Sequence, residues 1–249
     1  NGEIVECSPE EERDLFLATV GGMGLTGQIL EVSVPLRRIP TPWIVQESER
    51  VENIDEFLEK LRDAATVWPM TVGWIDCLTR GRNLGRGILI KGRWAEAHEA
   101  PARFPRELPT LRAPFLAPEF LVSRFTVQSF NSAIYWSHLR KKQSSVVSPF
   151  SFFYPLDFVH DWNLLYGRRG LTQYQCVLPR AAGHDSARRF LELLTAEGGA
   201  SFLCVIKDCG TEGEGILSFP MPGISIALDI PVRSNTQRLV DVLNECVIR

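Results

Sequence analysis

The chain has 249 residues, 45% of them hydrophobic and 23% charged, with 27 Lys and Arg against 30 Asp and Glu. This composition excludes disordered, collagenous and coiled-coil classes, and a net charge of -3 argues against a general nucleic-acid surface, which needs excess cations to displace counterions. No run approaches the roughly 20 apolar residues of a membrane helix; even Phe150 to Val159 is broken by Ser, Pro and Asp.

In chain order, a short strand is predicted at Ile4 to Cys7, then an acidic stretch, an apolar run from Leu15 to Val20, a glycine cluster and a largely buried strand at Gln28 to Leu36. A start at Asn1 without Met, in what reads as a turn and strand, suggests a piece of a longer protein. Pro40 and Pro42 mark a boundary. Beyond it come a strand at Trp43 to Val51, a helix capped by Asn53 with Ile54, Phe57, Leu58 and Leu61 at helical spacing, and strands at Met70 to Leu78 and Gly87 to Trp94. The same order returns later: a strand at Gln173 to Leu178, a helix at His184 to Glu197, strands at Phe202 to Lys207 and Ile224 to Ile230, and a last helix at Thr236 to Val247. Two strand-helix-strand-strand units imply an α+β fold, one antiparallel sheet with helices on one face. Between them lie a proline-rich passage (Pro101, Pro105, Pro109, Pro114, Pro118), a helix from Val127 to Lys141 and an aromatic segment, Phe150 to Tyr154, expected to form a lid or channel wall.

Six cysteines without a repeated C-x-x-C spacing read as reduced thiols, and four scattered histidines offer no metal site. Gly22 to Gly27 satisfies G-x-G-x-x-G, but a predicted strand follows it rather than a helix, so a Rossmann site is excluded. The glycines fit either a turn or a bare backbone surface against a flat ligand. Arg80, Arg82, Arg86, Lys91 and Arg93 read as a solvated hairpin. Gln173 and Gln175, two apart on a strand, face one side as a polar wall. Lys207 ends an apolar run and points either to solvent or into a cleft, whereas Trp74 reads as core.

The stretches DLFLATVGGMGLTGQI (14 to 29), FFYPLDF (152 to 158), DWN (161 to 163) with YG (166 to 167), QYQ (173 to 175), SFL (201 to 203) and LSFPMPG (217 to 223) run in one order over most of the chain. By them the chain resembles the vanillyl-alcohol-oxidase-type FAD family, and within it the decaprenylphosphoryl-ribose 2-oxidase-like FAD-linked oxidoreductases of a cell-wall arabinan epimerase system. The resemblance implies that residues 1 to 36 are the C-terminal tail of an FAD-binding domain, with Gly22, Gly24, Leu25, Thr26, Gly27 and Gln28 against the flavin, and that residues 37 to 249 are most of a substrate-binding domain. It also implies that Lys207 is the catalytic lysine, and that Gln173, Gln175, Trp74, Phe153, Leu156, Ser225 and Ala227 line the substrate pocket. The chain departs from the family where Phe153 replaces a tyrosine, Leu164 an arginine, Ser225 an asparagine, Val72 a serine and Ala227 a cysteine. Cys176, by alternation, faces away.

The activity so implied is FAD-dependent oxidation of a secondary alcohol on a sugar or polyprenyl-phosphate sugar. A partner short-chain reductase and a cytoplasmic setting are expected with it, with membrane-associated or periplasmic placement as the alternative. The piece alone is expected to be inactive and to hold no FAD. An aldonolactone or polyol oxidase of the same family, or a flavin-free binding module, are the competing readings.

Overall fold

The computed structural model describes residues 2–106, 110–113, 115–118, 121–183 and 185–248. Asn1, Pro109, Pro114 and His184, on which parts of the sequence reading fell, lie outside the described residues.

A short helix α1 (Arg13–Thr19) precedes β1 (Ile44–Val51), α2 (Ile54–Val67), β2 (Met70–Ile75) and β3 (Gly87–Trp94). The middle holds β4 (Leu111–Arg112), α3 (Arg124–Ser137), β5 (Lys142–Val147), α4 (Pro149–Phe153) and β6 (Val159–His160). The last part is β7 (Leu171–Pro179), α5 (Asp185–Ala196), β8 (Cys204–Cys209), β9 (Gly223–Pro231) and α6 (Thr236–Ile248). The fold is α+β. Seven strands form one antiparallel sheet in the order β5-β1-β3-β2-β8-β9-β7, and the short β4 and β6 pair separately. The two predicted units are mirrored in that order: β1-β3-β2 and β7-β9-β8 each close on themselves and meet where β2 pairs with β8.

Local chemistry sets the helices. The Asn53 carbonyl oxygen of the side chain accepts the Glu56 amide at 3.0 Å, satisfying an orphan donor of α2, and the helix ends just before Pro69, which disfavours helical geometry at Trp68. Its apolar stripe, Ile54, Phe57, Leu58, Leu61 and Ala64, is buried against the sheet. Phe57 lies so close over β2 that a Cβ on Gly73 would collide with its ring and come within 2.7 Å of Ile206. Phe190, Leu191 and Leu194 of α5, and Leu239 and Leu243 of α6, join the same cluster with Ile206, Ile226 and Leu228 from the strands. These three helices therefore seal one face of the sheet, as the repeated units imply.

Helix α3 packs at the end of β2, with Val127 buried in the same core cluster. Ser123 and Thr126 form its capping box, and Asn131 donates to Asp76 Oδ1 at 3.1 Å and to the Ser201 carbonyl at 3.2 Å. It ends at Ser137, short of the predicted Lys141, because the chain turns to make β5 on the edge of β1. The polar sequence KQSSVV of β5 carries no alternation, and the expected lid segment is thus in part an edge strand followed by α4, lying over the β1 and β3 end.

The predicted strands at Ile4 to Cys7 and Gln28 to Leu36 are absent as ladder elements. Residues 28 to 36 are extended and exposed, with Val32 at 73% and Leu36 at 92% exposure. Their apolar alternation is real, but no strand among the described residues pairs with them, and alternation without a partner makes no sheet. The solvated basic hairpin is corrected in part: Arg80 and Arg82 are exposed, but the cations that follow are not. Arg86 pairs with buried Asp76 at 3.0 Å and stacks on Tyr135, Lys91 is buried in an ion pair with Glu47, and Arg93 binds Glu99 at 2.6 Å. From Gly87 on, this stretch is β3, an interior strand between β1 and β2, so Lys91 and Arg93 land on sheet faces rather than in water.

Candidate functional site

Strand registers place the predicted pocket residues. Ile206 faces α2, so Lys207, one residue on, faces the other way. Lys207 is opposite Ser225, Val205 is opposite Ala227, Gln175 is opposite Ala227, and Gln173 is opposite Asp229. Trp74 is opposite Val205, and one further antiparallel step sets Val72 beside Lys207. Lys207, Gln173, Gln175, Trp74, Ser225 and Ala227 thus share one patch on four neighbouring strands, although the outermost are far apart in sequence. Cys176 turns to the helix-covered face, where burial pushes its thiol up to about 12.

The hydrogen bonding of the patch is directional. Gln173 Nε2 donates to Asp229 Oδ1 at 3.1 Å, and Gln175 Nε2 donates to Ser225 Oγ at 3.4 Å. Both amide nitrogens are engaged by β9, which leaves both amide oxygens for the open side. The Trp74 indole N–H is engaged by the Phe202 carbonyl at 3.0 Å, so its ring offers an apolar surface and no donor. Lys207 is exposed, and its ammonium makes no ion pair or hydrogen bond among the described residues. The patch as a whole presents one cation, two amide acceptors and an indole face, a set suited to an uncharged polyol carrying a developing negative oxygen.

Two predicted pocket residues stand apart from that patch. Phe153, on α4, packs beside Trp94 with ring centroids 6.1 Å apart, and Leu156 sits half-buried in the turn that follows. Trp94 lies four residues and two strands from the Lys207 row, on the order of 15 Å away at strand spacings of about 4.8 Å and about 3.3 Å per residue.

Asp229 was missed in the sequence. It is 1% exposed, Oδ2 finds no partner among the described residues, and burial raises its carboxyl above the ordinary Asp value although the Gln173 bond pulls the other way. Its parity with Ser225 and Ala227 in the strand GISIALDIP was the available signal.

Among the predicted cofactor residues, Gly22 is buried against the end of α1, while Gly24, Leu25, Thr26, Gly27 and Gln28 are exposed. Gly24 and Gly27 have φ of 75° and 155°, and nothing lies within 4 Å of where a Cβ would stand on either. They present bare backbone, which fits one wall of a flat ligand and not an enclosure. Helix α1, which leads into this loop, touches the connection between β8 and β9: the Ile216 amide donates to the Leu17 carbonyl at 3.1 Å, and Gly215 approaches Val20 too closely to bear a side chain. Residues 210 to 222 join β8, which carries Lys207, to β9, which carries Ser225.

No family model matches the sequence. Over 256 aligned residues, covering all of this chain, it is 28% identical to the decaprenylphosphoryl-beta-D-ribose oxidase of Mycolicibacterium smegmatis. The chain spans 55% of the oxidase's length, about half. It is also 28% identical over 249 residues to an uncharacterized protein in the mprA 5' region of Streptomyces coelicolor, covering 93% of this chain and 66% of that protein. A solved structure, BBE-like #28 from Arabidopsis thaliana, overlaps 82% of this chain and 41% of its own with a TM-score of 0.42 and 9% identity, a likeness too slight to bear on function. No helix among the described residues is long and apolar enough to cross a membrane.

Proposed function

We propose that the protein containing this chain is an FAD-dependent oxidoreductase that oxidises a secondary alcohol of a sugar-like substrate, and that this chain supplies the substrate-binding sheet. Residues 37 to 249 are then most of the substrate-binding domain and residues 1 to 36 the C-terminal tail of a flavin-binding one. The observation that carries the reading is the patch itself: Lys207, Gln173, Gln175 and Trp74 meet on one open sheet face, and the connection between β8 and β9 touches α1, which leads into a glycine loop of bare backbone. Similarity over the whole chain to a protein named as an oxidase of a lipid-linked ribose supports the same class of substrate.

The chemistry that a bound FAD would supply is hydride acceptance, making it the oxidant for the carbinol carbon. Gly24 to Gln28 would lie along one side of it. The chain's own residues act on the alcohol. Lys207 Nζ, as an ammonium, donates a hydrogen bond to the carbinol oxygen and stabilises the charge that grows there as a general base takes the hydroxyl proton, an interaction stronger in the transition state than in the ground state. The amide oxygens of Gln173 and Gln175 accept from neighbouring hydroxyls and fix the ring, and Trp74 covers its C–H face. Val72, beside Lys207, brings a branched apolar side chain into the Lys207 row, and Ser225 and Ala227 leave it small. Those departures favour a substrate related to, but different from, that of the Mycolicibacterium enzyme.

The test uses the longest natural polypeptide that contains this chain. It should purify yellow, absorbing near ~450 nm, and bleach anaerobically when a lipid-linked or simple furanoside is added. The Lys207→Ala variant should keep the colour and bleach much more slowly. Colourless protein, or an alanine variant that bleaches at the full rate, overturns the reading.

A further inference from the structure

Oδ2 of Asp229 is, with Arg50 Nε and Asn131 Oδ1, one of three buried side-chain atoms without a hydrogen-bond partner among the described residues, and of the three it alone belongs to an acid, 1% exposed, beside the glutamines of the patch. Leaving such an oxygen unpaired costs stability that an apolar residue would avoid, so its presence calls for a reason outside folding. Its position supplies one. Asp229 lies directly across from Gln173 in the β7–β9 ladder, and its Oδ1 is 3.1 Å from Gln173 Nε2. Gln173 itself is exposed on the open face.

An amide side chain presents a donor end and an acceptor end of almost equal shape, and only its partner decides which end turns outward. An ionised carboxylate accepts and never donates. It therefore forces the nitrogen of Gln173 toward the sheet and the oxygen outward. The neighbouring pair lacks this property: Ser225 Oγ, 3.4 Å from Gln175 Nε2, both donates and accepts, so Gln175 is free to turn either end to a ligand. The two glutamines look equivalent in sequence and are not equivalent in chemistry.

We infer that Asp229 is a positioning residue for ligand recognition: it locks the Gln173 amide with its oxygen toward the open face, so that this position selects a ligand group that donates a hydrogen bond, such as a ring hydroxyl, over one that only accepts, such as an ether or carbonyl. Its relevance to turnover rests on the oxidoreductase reading; the locking itself does not. Gln175, held by a hydroxyl, accommodates either kind of group.

The experiment has two arms. In the 15N-labelled chain, the Gln173 side-chain amide is assigned by its loss in Gln173→Glu. It should show one proton shifted downfield and protected from solvent exchange. Asp229→Ala, checked for retained backbone spectra, should abolish that protection, and Asp229→Asn, whose amide can present either end to Gln173, should shift the Gln173 resonances and weaken it. Unchanged Gln173 side-chain resonances in either folded variant overturn the inference, whatever the protein's activity. The second arm uses the flavin-loaded longer polypeptide with methyl β-D-ribofuranoside as the alcohol and a dye as electron acceptor. Asp229→Asn should raise KM about fivefold and leave kcat within about twofold, as expected for one lost neutral hydrogen bond. Adding Gln173→Glu to it should restore KM, because the carboxylate introduced on β7 accepts a bond from the amide introduced on β9 through one oxygen and offers the other outward. A double variant no better than Asp229→Asn also overturns the inference. Absence of turnover in the unaltered protein would speak against the oxidoreductase reading alone, and the first arm would then decide.

Discussion

The two faces of the sheet are built from the same strands, and alternation gives them opposite characters. On one, Phe57, Leu61, Phe190, Leu191, Leu194, Ile206, Ile226 and Leu228 interlock under α2, α5 and α6, so completely that Gly73 has room for no side chain. On the other, the same strands β7, β8 and β9 carry Gln173, Gln175 and Lys207 into the open, over a buried acid. The first face holds the molecule together. Removing the exposed polar side chains of the second would cost the fold little, and such a surface is where binding residues collect on a rigid scaffold.

Four measurements test that division, from the largest expected effect to the smallest. Phe57→Ala removes the largest side chain beneath α2 and should lower stability by about 3 to 5 kcal/mol in chemical denaturation, since both transfer energy and a cavity are involved. A loss under about 1 kcal/mol would mean that this face is not the core. Asn53→Ala leaves the α2 N-terminus without its cap and should cost about 1 kcal/mol by the same measurement.

The third concerns Asp229, whose carboxyl is raised above the ordinary value near 3.8 by burial. A raised acid gives the folded state its full benefit below that ordinary value, and the benefit is lost as pH rises through the folded value. Asp229→Asn should accordingly match the unaltered chain in acid and equal or exceed its stability at neutral pH. Thermal melts across that range check it, and a variant markedly less stable at neutral pH would contradict the sign. The smallest effect is for Lys207→Ala and Gln175→Ala, which should change stability by no more than about 0.5 kcal/mol, the range for exposed sites. A large loss at either would make that residue part of the scaffold and blur the comparison between the faces.

Much of this was written locally. The cap at Asn53, the helical spacing of Ile54, Phe57, Leu58 and Leu61, and the strand alternation that puts Gln173 and Gln175 on one side and Cys176 on the other follow from stereochemistry over a few residues. The repeat of strand, helix, strand and strand follows from the same signals. Partner choice did not. The junction of β2 with β8 joins segments on opposite sides of the whole middle passage, and the edge pairing of β5 with β1 uses a polar segment with no periodicity. Nothing within either segment specifies the other, because which strands meet depends on the burial of α2 and α5 together and on the closure of the chain between. The same reason separates Lys91 and Arg86, which read as solvated and are sealed by Glu47 and Asp76, from Val32 and Leu36, which read as buried and are not. A residue's own sequence neighbours fix its direction from the backbone; only the tertiary structure decides what stands there to meet it.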